Sequence, residues 1–166
     1  MERDSLAGAR VLRAEEGDTL GALEAVRDRF MIERKESDTG FSLLQHLVPP
    51  RALVAPLHRH SREDEYSFVL EGRVGALLGD EEVVAEVGDL IFKPRNQWHT
   101  FWNAGDKPAR ILEIISPGGF EQAFREMHAM GEALDPEKMA GIASRYGCEA
   151  DFDRTPPIIE RHGLVF

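Results

Sequence analysis

Three histidines and one glutamate have types and spacing suited to metal binding. His58 and His60 are separated by one residue, Glu65 follows shortly afterwards, and His99 comes later in the chain. If the first segment is extended, the two imidazoles lie on one face, with Cα atoms about 6 to 7 Å apart, close enough to chelate one ion. Imidazole nitrogens combined with a carboxylate oxygen suit first-row divalent metals. The pattern predicts one divalent transition metal ion (Fe, Mn, Ni, Cu or Zn) held by His58, His60, Glu65 and His99.

Short strands are the elements that would position these side chains. Between residues 29 and 120, short apolar runs alternate with turn residues, and beyond residue 120 the apolar spacing becomes helical. The connections are too short for crossover helices, so the strands should pair antiparallel in a closed sandwich or barrel. The predicted strands are 30–33, 41–48, 65–70, 75–78, 83–87, 90–93, 99–102 and 110–115.

The last part of the chain carries helix start and stop signals. Asp135 with Pro136 predicts one helix start, and Gly147 its end. Thr155 followed by two prolines predicts a further start, and Gly163 the corresponding stop. The resulting division is an N-terminal extension over 1–28, a barrel over 29–117, and a helical tail over 118–166 packed on the same domain.

Composition narrows the classes of partner. The formal net charge is −10 and the isoelectric point is near 5.1, which disfavours binding to nucleic acid or to an anionic membrane surface. Cys148 is the single cysteine, so no internal disulfide can form. The first residues lack an apolar core typical of a signal peptide, and no long apolar run predicts a membrane span. We therefore expect a cytoplasmic protein whose partner is a small molecule.

The segment from Ala52 to Asn103 resembles the two motifs of the cupin superfamily. In the first motif a glycine precedes His-x-His, Glu and a further Gly. Ala52 replaces the first glycine, which indicates a different loop but affects no ligand. The other positions are in register as His58, His60, Glu65 and Gly72.

The second cupin motif contains Gly, then Pro-x-Gly, then His and Asn. Here Asn96 stands where the motif has its middle glycine. Asparagine tolerates positive φ better than most residues, so we expect the turn to be preserved. The remaining positions match as Gly88, Pro94, His99 and Asn103.

The resemblance implies an all-β fold, the cupin double-stranded β-helix or jelly-roll barrel, followed by the helical tail. Segments 56–60, 92–95 and 116–120 look most like small single-domain cupins called quercetin dioxygenase-like. That likeness implies an oxidoreductase, a metal-dependent dioxygenase acting on a small aromatic or polyhydroxylated compound. Glu65 would then be both ligand and catalytic base, and the protein a homodimer. Two alternatives stay open: a redox-neutral isomerase or epimerase, and a small-molecule binding or sensing protein without turnover.

Strand alternation assigns further side chains to the interior. Ser67 and Phe101 lie two residues from Glu65 and His99, so they should share the inward face and line a substrate pocket. His46 is an isolated histidine in a strand, which is more typical of a core or interface residue, and it is left outside the site. Glu113 interrupts an apolar strand, where an exposed position would need no special explanation.

Overall fold

The computed structural model describes residues 8–38 and 40–166. Within these residues the chain forms eleven strands, three α-helices and two short 3-10 helices. The strands are β1 (Thr19–Leu20), β2 (Arg27–Ile32), β3 (Ser42–Val48), β4 (Leu57–His60), β5 (Asp64–Glu71), β6 (Val74–Leu78), β7 (Glu81–Ala85), β8 (Leu90–Lys93), β9 (His99–Asn103), β10 (Ala109–Ser116) and β11 (Cys148–Asp151). The α-helices are α1 (Glu121–Met130), α2 (Pro136–Arg145) and α3 (Pro156–His162), and the 3-10 helices are Arg34–Glu36 and Gly131–Ala133.

Two antiparallel sheets enclose the interior. One has the strand order β1-β2-β3-β10-β5-β8, and the other has the order β11-β4-β9-β6-β7. Their inward apolar side chains form a common core that includes Val48, Val69 and Ile111 from the first sheet and Val74 and Phe101 from the second. The all-β jelly roll expected from the sequence is therefore confirmed.

Each of the eight predicted strands coincides with an observed strand, but three observed strands were missed. β1 is only two residues long. β4 was not among the predicted strands, although the prediction that His58 and His60 share a face assumed an extended segment there. The segment is extended. β11 lies in the tail that was predicted to be helical, and it pairs with β4. The tail therefore completes the second sheet as well as packing on the barrel.

The helix signals of the tail are where the sequence places them. The Asp135 carboxylate accepts a hydrogen bond from the Lys138 backbone N–H at 2.8 Å, and Pro136 is the first residue of α2. Gly163 ends α3 with a φ of 60°, a left-handed conformation that glycine adopts without strain. Among the described residues no helix has the length and apolar character needed to cross a membrane.

A buried carboxylate anchors the start of the tail to the barrel. The Glu121 side chain, at the first turn of α1, accepts hydrogen bonds from the Ser42 hydroxyl at 2.5 Å and the Gly119 N–H at 2.6 Å. It also accepts one from the Arg34 N–H at 3.0 Å. Because β3, the 3-10 helix and α1 all meet at this group, α1 is held across one end of the barrel.

Candidate metal centre

The three histidines meet because β4 and β9 are neighbours in the second sheet. His58 and His60 alternate with outward residues on β4, so both point inward. His58 lies directly opposite His99 in the antiparallel register. The ring centroids of His58 and His99 are 4.3 Å apart, and those of His58 and His60 are 5.0 Å apart. The spacing rule used on the sequence is therefore met in three dimensions.

Glu65 reaches the same point from the opposite sheet. It lies on β5, and its Oε1 is 3.3 Å from His60 Nε2 while its Oε2 is 3.2 Å from His99 Nε2. One donor atom from each of His58, His60, Glu65 and His99 can be chosen so that all lie within 4.8 Å of one another. All four side chains are buried. The structure thus brings together the complete set of predicted ligands.

The turn before β9 is hydrogen-bonded to the end of β4, the strand that carries His58 and His60. Asn96 has a φ of 66°, the left-handed conformation expected where the cupin motif has glycine. Its backbone N–H donates to the His60 carbonyl oxygen at 2.6 Å. The substitution therefore preserves the turn and ties it to the histidine pair.

Backbone carbonyls set which imidazole nitrogen faces the cluster. His58 Nδ1 is 2.7 Å from the Pro56 carbonyl oxygen, and His99 Nδ1 is 3.1 Å from that of Gln97. A carbonyl oxygen can only accept, so each Nδ1 carries the proton and each Nε2 lone pair is left for another partner. Such outer hydrogen bonds are the usual means of orienting a histidine ligand.

The charge states of the ligands differ. Burial, together with the neighbouring His99 and His60, holds the pKa of His58 well below its usual value, and burial also lowers the pKa of His99. Burial would likewise lower the pKa of His60, but Glu65 and Glu63 outweigh it and raise that pKa. Burial would raise the pKa of Glu65, yet the Lys93 ammonium and His60 hold it well below its usual range. Glu65 is therefore an anion next to two neutral imidazoles.

The cluster fits a divalent transition metal ion. Both ring nitrogens of His60 are buried without a hydrogen-bond partner among the described residues, although Nδ1 is 3.4 Å from Glu63 Oε2. A buried polar nitrogen with no hydrogen bond is costly, and a metal ion at Nε2 would remove that cost. Three imidazole nitrogens and one carboxylate oxygen are a donor set that iron, manganese, nickel, copper and zinc all accept.

Ser67 and Phe101 lie inside the barrel, as their alternation with the ligands predicted. Ser67 is fully buried and donates a hydrogen bond of 2.5 Å to Glu113 Oε2. The Phe101 ring has the Lys93 ammonium 3.9 Å from its centroid. Both side chains therefore contact a charged group beside the ligands, and their role in a substrate pocket stays a prediction.

Two interior charged residues, Glu113 and Lys93, were misassigned or missed, whereas His46 is buried and outside the ligand cluster, as expected. Glu113, treated as needing no special account, is buried on the inward face of β10, and His46, left outside the site, is buried on the inward face of β3. Lys93 was not considered, yet its side chain is fully buried. Strand alternation could have found the buried position of Glu113, because it lies two residues from core side chains on its own strand.

A second polar group continues from this interior to the tail. His46 Nδ1 is 2.6 Å from Asp28 Oδ1, and the other oxygen of Asp28 is 2.7 Å from His128 Nε2 on α1. His46 Nε2 faces Glu113 at 3.8 Å. Burial would lower the pKa of His46, but Asp28 and Glu113 raise it. A row of ionisable side chains therefore extends from Glu113 to α1, the first helix of the tail.

The tail closes the end of the barrel nearest the ligands. The Phe120 ring packs edge-on against His60 with a centroid distance of 4.4 Å, and Phe124 packs edge-on against His46 at 5.9 Å. Each of the four ligand side chains is consequently shielded from solvent.

The fold and this buried cluster define a class of protein, a double-sheet jelly-roll barrel whose interior has a donor set that could hold a metal ion. Residues 45–115 match the model of the cupin domain family, Cupin_2, which covers less than half of the chain. Among curated proteins, the chain is 37% identical over 60 residues to the tetracenomycin polyketide synthase protein TcmJ of Streptomyces glaucescens, covering 36% of this chain and 40% of the relative. It is 34% identical over 71 residues to the uncharacterized protein MJ1618 of Methanocaldococcus jannaschii, covering 43% of this chain and 56% of the relative. The chain thus spans about half the length of these relatives.

Solved structures support the same fold. KdgF from Halomonas sp. superposes with a TM-score of 0.60 at 15% identity, covering 69% of this chain and 99% of that one. A predicted oxalate decarboxylase from Thermotoga maritima has a TM-score of 0.59 at 20% identity, covering 64% and 97%. The nucleoside dehydratase Pac13 has a TM-score of 0.54 at 16% identity, covering 69% and 88%. At such identities the likeness concerns the fold alone.

Proposed function

We propose that the protein is a mononuclear metal-dependent dioxygenase acting on a small aromatic or polyhydroxylated compound. The observation that carries this proposal is the burial of three imidazoles and one carboxylate around a common point. Four protein donors leave one or two positions of a five- or six-coordinate ion for substrate and dioxygen. The partial likeness to a protein named for a polyketide synthase favours an oxygen-rich carbon skeleton as substrate.

In such a dioxygenase the side chains around the ion would have separate roles. His58 and His99 present Nε2 because their Nδ1 protons are held by backbone carbonyls. When bound, the ion would supply Lewis acidity to a substrate oxygen and a redox partner for dioxygen. Glu65, an anionic carboxylate, would hold the ion through one oxygen and, where that bond loosens, would accept the proton of a substrate hydroxyl at the same oxygen. The Phe120 cover would exclude water from the substrate position.

A redox-neutral reaction, such as isomerisation or dehydration, is the second candidate. The observation that favours it is the charged interior beside the ligands, where Lys93 and Glu113 form an ion pair of 2.9 Å. Charged groups beside a Lewis acid can support proton transfer without any oxidant. A dehydratase is among the solved proteins that share the fold.

Oxygen consumption separates the two candidates. The protein would be prepared metal-free, reloaded separately with Fe²⁺, Mn²⁺, Ni²⁺, Co²⁺ or Cu²⁺, and supplied with catechols, flavonols and aromatic polyketide-like phenols. A dioxygenase consumes one O₂ per product in at least one metal form. Product formation under strict anaerobiosis, followed by NMR, would instead establish the redox-neutral reaction and overturn the dioxygenase proposal.

Glu65→Gln tests whether the carboxylate is a base as well as a ligand. The amide keeps the size and one coordinating oxygen but removes the charge and the basicity. Metal affinity should fall only in part, because three imidazoles remain, whereas turnover per bound metal should fall by roughly 10²- to 10⁴-fold. Equal turnover per bound metal in the two proteins would restrict Glu65 to the ligand role.

A further inference from the structure

A fully buried lysine lies between a metal ligand and a second carboxylate. Lys93 is directly opposite Glu65 in the register of β8 and β5, and Glu113 is directly opposite Ser67 in that of β10 and β5. These cross-strand pairs bring the Lys93 ammonium to 3.1 Å from Glu65 Oε2 and 2.9 Å from Glu113 Oε1. Three adjacent strands of one sheet therefore place one buried ammonium between two carboxylates.

The ammonium is confined on its remaining sides. The Phe101 ring lies below it, with 3.9 Å from Nζ to the ring centroid, and the side chain has no exposure to solvent. Its second partner, Glu113, is itself held by the Ser67 hydroxyl at 2.5 Å. Because the ammonium is buried, water cannot replace its two carboxylate partners, and its charge favours the orientation of Glu65 in which Oε2 faces Nζ.

We propose that Lys93 is a positioning residue for the metal centre: its ammonium occupies Oε2 of Glu65, so that Glu65 gives the ion only one oxygen. This inference rests on the proposed metal site and adds to it. A carboxylate with both oxygens free can chelate an ion through both, and this takes one more coordination position. Oε2 also faces His99 Nε2 at 3.2 Å, so it lies next to the ligands. By engaging Oε2, Lys93 would disfavour a second bond from Glu65 to the ion and leave that position for a substrate or dioxygen. The negative charge of Glu113 offsets the free-energy cost of burying the Lys93 ammonium.

Neutralising both members of the ion pair tests this role without leaving a lone buried charge. Lys93→Met alone would leave Glu113 as an unpaired buried charge and destabilise the fold, whereas Lys93→Met with Glu113→Gln removes both charges and retains an acceptor for Ser67. The matched control is Glu113→Gln alone, in which the ammonium still contacts Glu65. Should the double variant not fold, Lys93→Gln with Glu113→Gln replaces it.

Each protein is loaded with Co²⁺, and its visible absorption is titrated with imidazole, a neutral probe, and with azide, an anionic probe. Wild type and Glu113→Gln should bind both probes alike. The double variant should bind both probes at least about tenfold more weakly, because the second oxygen of Glu65 would then fill the open position. Its cobalt absorption bands should also differ from those of wild type before any probe is added.

Three results would contradict this expectation in distinguishable ways. Unchanged affinity for both probes in the double variant would show that Lys93 has only a packing role. Weaker binding of azide alone would show that the ammonium attracts anions and leaves the denticity of Glu65 unaffected. Wild-type protein that takes up no Co²⁺ would remove the metal centre itself, and this inference with it.

Discussion

Asp28→Asn is the substitution whose effect the structure specifies most closely. Asp28 is buried on β2 and bridges two histidines, His46 on β3 and His128 on α1, at 2.6 and 2.7 Å. The carboxylate therefore joins the first sheet to the start of the tail. Asparagine keeps the shape and one hydrogen bond to each neighbour at most, but it loses the charge.

The magnitude follows from the pKa of the carboxyl group. Burial would raise the pKa of Asp28, but His46 and His128 outweigh it and lower the pKa from 3.8 to about 2. At about 1.4 kcal/mol per pKa unit, this difference corresponds to roughly 2.5 kcal/mol of folding stability. Because the folded pKa is the lower one, this stability is present above about pH 4 and is lost as the pH falls towards 2.

The histidine partner limits the same contribution on the alkaline side. The pKa of His46 is raised above its usual 6.5 by Asp28 and Glu113, against the effect of burial. Its stabilisation is therefore present below about pH 6.5 and is lost as the pH rises through the folded pKa. We expect the Asp28 bridge to contribute most between about pH 5 and 6.5.

Urea unfolding of metal-free protein between pH 2.5 and 8 measures this contribution. Asp28→Asn should lose about 2 to 3 kcal/mol near pH 6 and about 1 kcal/mol or less at pH 2.5. Asp106→Asn is the matched control, since the side chain of Asp106 is 95% exposed. Subtracting each variant from wild type removes the titration of the metal ligands, which all three proteins share. A constant difference across the pH range, or none, would refute the argument.

Four further outcomes are expected. Replacing each of the three histidine ligands by alanine should abolish stoichiometric metal in elemental analysis while cooperative unfolding persists, and one ion per chain in all three variants would contradict the site. We expect a homodimer through the exposed Phe68 and Phe92 on the outer face of β5 and β8, so Phe92→Ser should shift the mass by light scattering towards 18.6 kDa. Gly75→Ala should cost about 1 to 3 kcal/mol in thermal unfolding, because a Cβ there would lie 2.3 Å from the Trp102 ring. Asn96→Val should cost about 1 to 2 kcal/mol at its positive φ, while Asn96→Gly should cost little.

The sequence was most informative where chemistry and periodicity coincide. The ligands His58, His60 and His99 could be predicted because spacing on antiparallel strands directly determines which side chains share a face. The helix boundaries at Asp135 and Gly163 could be predicted because capping is a local property.

The buried position of Lys93 could not be predicted in the same way. Lys93 ends a strand whose other positions alternate between buried and exposed, and a lysine there normally reaches solvent. Only the three-dimensional pairing with Glu65 and Glu113 shows that its charge is compensated inside the barrel. β11 was missed for a similar reason, since a four-residue strand is defined by its partner more than by its own residues.

The pairing of β11 with β4 has a consequence for how the protein matures during synthesis. β4 shares a four-residue ladder with β11 but only the single His58 and His99 register pair with β9. One edge of β4 therefore has no neighbouring strand until residues 148–151 have left the ribosome. At 5 to 20 residues per second, that delay after His60 is on the order of ten seconds. The nascent chain can therefore fold most of its barrel before β4 gains its second neighbouring strand.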